Sequence, residues 1–109
     1  MRKAMIYKNN LLAGWLYEQA GGEFVFEYDD VYLQNTSAYA VSLTLPKTQK
    51  KYISAQFFPF FSNMLAEGEN KKVQSRLLKI NEKDQLGLLL ATATADTIGN
   101  VTVKRTESE

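Results

Sequence analysis

The chain has 109 residues, of which 45% are hydrophobic and 23% are charged, and this is the size and composition of one soluble globular domain. It contains no His and no Cys, which excludes disulfides and removes the usual proton carrier near neutral pH, the usual thiol nucleophile and the standard zinc ligands. Thirteen Lys and Arg against twelve Asp and Glu give a formal net charge of +1, so attraction to a polyanion would require a locally segregated basic face.

The first 28 residues predict a three-stranded antiparallel meander. The β-prone segment Lys3–Lys8 ends at Asn9-Asn10, a pair suited to the positive φ angles of a tight turn. Beyond the turn, an extended strand places Leu12, Gly14 and Leu16 on one face and Ala13, Trp15 and Tyr17 on the other. Gly21-Gly22 provides a second turn, and residues 24–28 alternate as a third strand.

The middle of the chain predicts one helical turn and one further strand. Asp29-Asp30 suits a turn or a helix N-cap before a short helical turn at residues 31–33. Residues 41–45 alternate apolar and polar, which predicts a strand that Pro46 ends because it has no amide hydrogen. The basic and polar residues 47–52 predict a connecting loop.

The second half predicts helices followed by a last strand. Residues 53–65 favour a short buried helix with Pro59 in its first turn, and residues 69–81 favour a helix with an inward stripe of Val73, Leu77 and Ile80. Asp84 can cap a helix over residues 85–92, with Leu86, Leu89 and Leu90 facing inward, and residues 100–105 alternate again. We therefore predict one α+β domain over residues 1–109: a curled antiparallel sheet, or partial barrel, of about five strands covered by two to three short helices.

No motif in the sequence indicates catalysis. Glycine-rich phosphate-binding patterns are absent, and the serines have no His to activate them. Asp29-Asp30 is the only adjacent acidic pair and could bind a metal or transfer protons, but a solvated turn is the favoured interpretation. We therefore expect a protein that is not an enzyme, with no catalytic, cofactor-binding or metal-binding residues.

Two groups of basic residues have alternative interpretations. The run at residues 47–51 and the predicted helical residues Lys71, Lys72, Arg76 and Lys79 could contact phosphates if they shared a face. The favoured interpretation is a solvated loop and helix face, because glutamates at positions 67, 69 and 82 dilute the positive field.

Trp15 is the aromatic residue that periodicity does not assign to the core. It lies opposite the predicted Leu12 and Leu16 face. If one face of the sheet is open to solvent, Trp15 becomes a candidate interface anchor, a role that tryptophan favours. If both faces are covered, Trp15 belongs to the core.

Four short segments, in order and at similar spacing, resemble a known family. They are residues 9–16 (NNLLAGWL), 41–46 (VSLTLP), 60–68 (FFSNMLAEG) and 97–101 (TIGNV). From Lys3 to about Thr106, the chain resembles the N-terminal domain of HipA-type serine/threonine kinase toxins. The ATP-binding loop and catalytic residues of that family lie in later segments, which this sequence does not contain.

The resemblance implies a free-standing domain similar to HipS, the small partner in three-component toxin–antitoxin systems. Its expected function is that of a cytoplasmic, non-catalytic regulator that binds and inhibits a separately encoded HipA-like kinase lacking this domain. The alternatives are a subunit that completes and activates the kinase, or a DNA-binding accessory acting with a helix-turn-helix, HipB-like protein. We expect no cofactor, no membrane association and only indirect contact with nucleic acid.

The resemblance also suggests where such a partner would bind. The candidate residues lie in the segment after the Phe-Phe pair, supported by Trp15: they are Trp15, Asn63, Met64, Leu65, Glu67, Gly68 and Glu69. Ala66 stands where the family usually has a proline. For Phe60, Phe61 and Leu65, helical spacing favours core packing over partner contact.

Overall fold

A computed structural model describes residues 3–63, 73, 76–81, 83–92 and 101–105. Its strands are β1 (Lys3–Lys8), β2 (Leu11–Glu18), β3 (Phe24–Tyr28), β4 (Lys51–Ser54) and β5 (Val101–Arg105). Its helices with defined bounds are α1 (Asp30–Gln34), α2 (Pro59–Ser62) and α3 (Gln85–Thr92). Among the described residues, no helix is long and apolar enough to cross a membrane.

The strands form one five-stranded sheet in the order β4-β3-β2-β1-β5. Every neighbouring pair is antiparallel, and β4 and β5 are the two edges of a sheet that does not close. The prediction of an α+β fold with a five-stranded antiparallel sheet and a few short helices is therefore confirmed.

The hairpin between β1 and β2 depends on its asparagines. Asn9 and Asn10 have φ angles of 52° and 67°, the left-handed conformation that a two-residue hairpin turn requires and that asparagine tolerates. Lys8 then pairs with Leu11 and Tyr7 with Leu12, but Ile6 pairs with Gly14, so Ala13 is an extra, unpaired residue in β2. This β-bulge separates Leu12 from the face that carries Leu16, and the predicted common face of those two residues is wrong.

The helices pack on one face of the sheet, which we call the inner face. Ala4, Ile6, Leu16 and Phe26 are fully buried there and belong to the same apolar cluster as the helical residues. The ring of Phe61 in α2 lies 5.7 Å from that of Phe26. The cluster also contains the buried α3 residues Leu86, Leu88, Leu89 and Leu90.

The prediction for α3 is confirmed, including its N-terminal cap. The Asp84 carboxylate accepts a hydrogen bond from the Gly87 amide at 3.1 Å. The final strand is confirmed as β5, where Val101 and Val103 are fully buried.

The predicted strand at residues 41–45 is wrong. Val41 and Leu45 are buried, but Ser42 bridges to Leu45 through a tight turn whose tip, Leu43, is 99% exposed. The Leu45 amide donates to the Ser42 carbonyl at 3.0 Å, which closes the turn. The Tyr28 hydroxyl, on β3, accepts a hydrogen bond from the Val41 amide and donates one to the Leu45 carbonyl. The alternating pattern therefore reflects two buried ends of a turn and not a ladder of paired residues.

The boundaries of two neighbouring elements, β4 and α2, also differ from the prediction. The predicted loop at residues 47–52 gives way to β4, which begins at Lys51 and pairs with β3. The predicted helix at residues 53–65 is confined, among the residues described, to α2, because Ile53 and Ser54 belong to β4. Cross-strand pairing with Val25 and Phe24 determines the conformation of these two residues.

The predicted inward stripe of Val73, Leu77 and Ile80 is wrong in two of its three members. Residues 73 and 76–78 are helical, but Val73 is 48% exposed and Leu77 is 75% exposed. Ile80 packs partly buried against the core. The remaining residues of the predicted helix, namely 69–72, 74 and 75, lie outside the described residues.

Candidate partner-binding surface

The sheet face opposite the helices carries Trp15, and we call it the outer face. It comprises Lys3, Met5, Tyr7, Leu12, Trp15, Tyr17, Val25, Glu27, Lys51, Ile53, Thr102 and Lys104. Val25 is fully buried yet does not belong to the apolar cluster of the inner face. The three helices α1, α2 and α3 instead contribute buried side chains to that inner cluster.

One row of paired residues crosses the outer face over all five strands. Lys51 pairs with Glu27, Glu27 with Trp15, Trp15 with Met5, and Met5 with Lys104. Trp15 and Met5 are partly buried, so Trp15 keeps some solvent-accessible surface and is not a fully buried core residue. Because paired side chains lie on the same face, this row forms a continuous surface with an apolar centre and a lysine at each end.

A single inserted residue places Trp15 in this row. A regular hairpin closed by Asn9-Asn10 would put Trp15 opposite Ala4, a fully buried residue of the inner face. Because Ala13 is bulged, Trp15 instead lies opposite Met5. The bulge therefore directs the largest aromatic side chain of the chain away from the core.

Lysine ammonium groups lie over the aromatic rings at the β1–β5 end of this face. The Lys3 ammonium is 5.1 Å from the ring centroid of Tyr17 and 5.9 Å from that of Trp15. The Lys104 ammonium is 4.9 Å from the ring centroid of Tyr7. These distances allow cation–π attraction, and the apolar lysine stems shield the rings partly from water.

Glu27 is the acidic residue at the other end of the row, and two neighbouring lysines balance its negative charge. Its carboxylate lies 3.9 Å from the Lys51 ammonium and 3.8 Å from that of Lys50. It also accepts a hydrogen bond from the Tyr17 hydroxyl at 3.1 Å. The pKa of Tyr17 is raised, first by burial and then by the hydrogen bond to Glu27 and its negative charge.

Gly14 lets β2 approach β3 beside this row. A Cβ atom at position 14 would lie 2.2 Å from the Glu27 carbonyl oxygen and 2.9 Å from the Cα of Tyr28. No side chain fits there without moving backbone atoms of β3. Gly14 is therefore needed for the strand spacing that positions both Trp15 and Glu27.

The structure separates Trp15 from the other described candidate, Asn63. Asn63 is exposed and ends α2, where its amide donates to the Pro59 carbonyl at 3.0 Å. Since α2 packs through Phe61 on the inner face, Asn63 and Trp15 lie on opposite sides of the sheet. The remaining candidates, Met64, Leu65, Glu67, Gly68 and Glu69, lie outside the described residues.

The acidic pair Asp29-Asp30 has structural partners. Asp29 is the N-cap of α1 and accepts from the amides of Val31 and Tyr32 at 3.1 and 3.3 Å. Asp30 lies 2.8 Å from the Lys50 ammonium. In the part of the chain that the structure describes, no group of three or more Asp, Glu, His or Cys could hold a metal ion.

The basic run at residues 47–51 is also engaged internally. The Lys47 ammonium donates to the carbonyls of Asn35 and Ala38 at 2.7 and 2.9 Å. Lys50 and Lys51 lie beside carboxylates. These contacts agree with the interpretation of this run as part of the protein's own surface and not as a phosphate site; Lys71 and Lys72 lie outside the described residues.

Sequence reasoning missed the neighbours of Trp15, although a signal for them existed. Lys3, Met5 and Lys104 become its neighbours only through strand pairing, and Tyr17 and Glu27 complete the surface. The two-residue turn at Asn9-Asn10 indicated that β1 would pair with β2. No feature of the sequence indicated the bulge at Ala13 that sets which pairs form.

Comparisons with known proteins agree with this architecture. The family described as the HipA N-terminal domain matches residues 4–104. A solved structure described as the N-terminal domain of HipA toxin superposes with a TM-score of 0.73 at 22% sequence identity, and the match covers 100% of this chain and 96% of that one. Among curated protein sequences, none matches the chain significantly. Since the family match spans nearly the whole sequence, the chain belongs to the HipA N-terminal domain family.

Proposed function

We propose that this protein is a non-catalytic regulatory partner of a separately encoded HipA-like serine/threonine kinase lacking this domain, and that it inhibits that kinase. Membership of the HipA N-terminal domain family supports a toxin–antitoxin context. The absence of His and Cys agrees with a role in binding and not in catalysis.

The observation that carries the proposal is the outer face. Trp15 and Met5 lie at its centre and are only partly buried, and no described helix packs over them. Tryptophan, tyrosine, methionine and arginine are enriched where proteins bind one another, and tryptophan most often contributes a large share of the binding energy. Trp15 is also held by neighbouring strands, so little conformational entropy is lost when a partner covers it.

The proposed inhibition acts on the closure of the kinase around its substrates. Protein kinases must close around nucleotide and substrate to complete their catalytic arrangement. A rigid domain bound against the kinase would restrict that closure. Asn63, on the opposite side of the sheet, is proposed as a second contact together with the other candidates of the sequence analysis, which are Met64, Leu65, Glu67, Gly68 and Glu69.

The decisive experiment titrates this protein into a purified HipA-like kinase core that lacks this domain. We expect a complex and a fall in kinase autophosphorylation as the complex forms. Trp15→Ala should weaken binding by about tenfold or more, as is common for a central tryptophan. Tyr39→Ala is the matched control, because Tyr39 is an aromatic residue that is 77% exposed and lies outside the outer face.

The outcome of this titration distinguishes inhibition from activation and from the absence of binding. A rise in autophosphorylation would replace inhibition with the activating alternative. No complex at micromolar concentrations would overturn the proposal. Equal binding by the Trp15→Ala and Tyr39→Ala variants, with both shown to be folded by circular dichroism, would remove the outer face as the contact. Asn63→Ala tests the second contact in the same assay.

A further inference from the structure

Positive charge on the outer face is unevenly distributed. Three lysines and one glutamate, namely Lys3, Lys51, Lys104 and Glu27, give this face a formal charge of +2 within a chain whose total is +1. At the β4 end, Lys51 and Glu27 lie together. At the β1–β5 end, the ammonium groups of Lys3 and Lys104 contact aromatic rings and have no carboxylate partner among the described residues.

An ammonium group above an aromatic ring still has N–H donors to offer. The ring attracts the cation from one side and leaves the other side to solvent or to a partner. Lys104 is exposed, and Lys3 is partly exposed. The aromatic rings therefore hold both ammonium groups in place on the surface, beside the apolar side chains of Trp15 and Met5.

From this arrangement we infer that the kinase surface covering the outer face is apolar opposite Trp15 and acidic opposite the β1–β5 end. This inference rests on the proposed function and specifies its partner by charge complementarity. Carboxylates placed opposite Lys3 and Lys104 would orient the domain on the kinase as well as attract it. Since Glu27 and Lys51 neutralise each other, the β4 end contributes no comparable attraction.

A nucleic acid is the other polymer that lysines and aromatic rings could bind. Two features favour a protein partner. The Glu27 carboxylate lies next to Trp15 in the same row, where it would repel phosphates, and only two lysines on this face lack carboxylate partners among the described residues. A strand of phosphates requires a longer basic track than this.

The test measures kinase affinity for charge variants of this protein. Lys3→Glu combined with Lys104→Glu should weaken binding by about tenfold or more and reduce its salt dependence between about 0.05 M and about 0.3 M NaCl. Lys3→Gln combined with Lys104→Gln should give a smaller loss in the same direction. Lys83→Glu, at an exposed position outside this face, is the control and should change the affinity less than about threefold.

Failure of the acidic-surface inference can be distinguished from failure of the proposed function. If the kinase binds but the double reversal has no more effect than Lys83→Glu, the acidic surface is overturned and the proposed function stands. If the wild-type protein does not bind the kinase, both are overturned. If a single-stranded oligonucleotide binds instead and the double reversal abolishes that binding, the face is a nucleic-acid surface. Unchanged circular dichroism spectra confirm that each variant is folded.

Discussion

The hydroxyl of Tyr28 donates a hydrogen bond to the backbone carbonyl of Leu45, which connects a central strand of the sheet to a turn outside it. The same hydroxyl accepts from the amide of Val41 at 3.0 Å. Tyr28 is fully buried, so one phenol satisfies two backbone groups that water does not reach.

Replacing Tyr28 with Phe should therefore destabilise the protein. The variant keeps the ring but leaves the Val41 amide and the Leu45 carbonyl without their partner, and we expect the free energy of unfolding to fall by about 2–4 kcal/mol. Urea denaturation measures the loss. Tyr52→Phe is the matched control, because its hydroxyl donates to the Pro46 carbonyl at an exposed site and its removal should have a much smaller effect. Equal losses in the two variants would contradict the bridging role of Tyr28.

Stability should also fall at alkaline pH because of Tyr28. Burial raises the pKa of Tyr28 from 10.0 to about 12. Above about pH 10 the unfolded chain releases this proton while the folded protein retains it, so the unfolded state is favoured increasingly until about pH 12. The contribution is about 2–3 kcal/mol over this range. Urea denaturation across this range should show a steeper decline for the wild type than for Tyr28→Phe, and parallel curves would contradict the assignment.

Gly14→Ala should be strongly destabilising. The added Cβ would overlap the Glu27 carbonyl oxygen, which is a backbone atom and cannot rotate away. We expect a loss of about 2–4 kcal/mol in the free energy of unfolding. Gly21→Ala is the control, since a Cβ there meets no atom within 4 Å. Thermal melts of the two variants provide the comparison, and a wild-type melting temperature for Gly14→Ala would show that β2 and β3 are spaced more widely than described.

The turn at residues 42–45 can be distinguished from a strand by two substitutions. Leu43 is 99% exposed and Leu45 only 2%, whereas strand alternation would place both on one buried face. Leu43→Ser should change the free energy of unfolding by less than about 0.5 kcal/mol. Leu45→Ala should lower it by about 2–4 kcal/mol. Similar losses for both leucines in denaturant titrations would restore the strand.

Local sequence signals predicted the elements that local interactions determine. Asn9-Asn10 closes a hairpin because asparagine tolerates positive φ angles, and Asp29 caps α1 through its own carboxylate. Each of these structures depends on residues within a few positions of the signal. The same holds for Asp84 and α3.

The misassigned segments depend on distant partners. Residues 41–45 alternate like a strand, but the hydroxyl of Tyr28 holds their ends as a turn, and that residue lies 13 positions before Val41. Ile53 is extended because it pairs with Val25. For the candidate site, the sequence singled out Trp15, but its neighbours depended on the bulge at Ala13. Alternation alone cannot reveal an inserted residue, because an insertion reverses the face of every residue beyond it.

The strand order has a mechanical consequence. β1 and β5 are adjacent and antiparallel, and Ala4 near the start of β1 lies opposite Arg105 at the end of β5. Tension applied outward through these two strand ends would load the Ala4–Arg105 pair first and then the next pair, unzipping the strands in sequence instead of shearing all their hydrogen bonds at once. This domain should therefore yield at low force when stretched through its first and last strands.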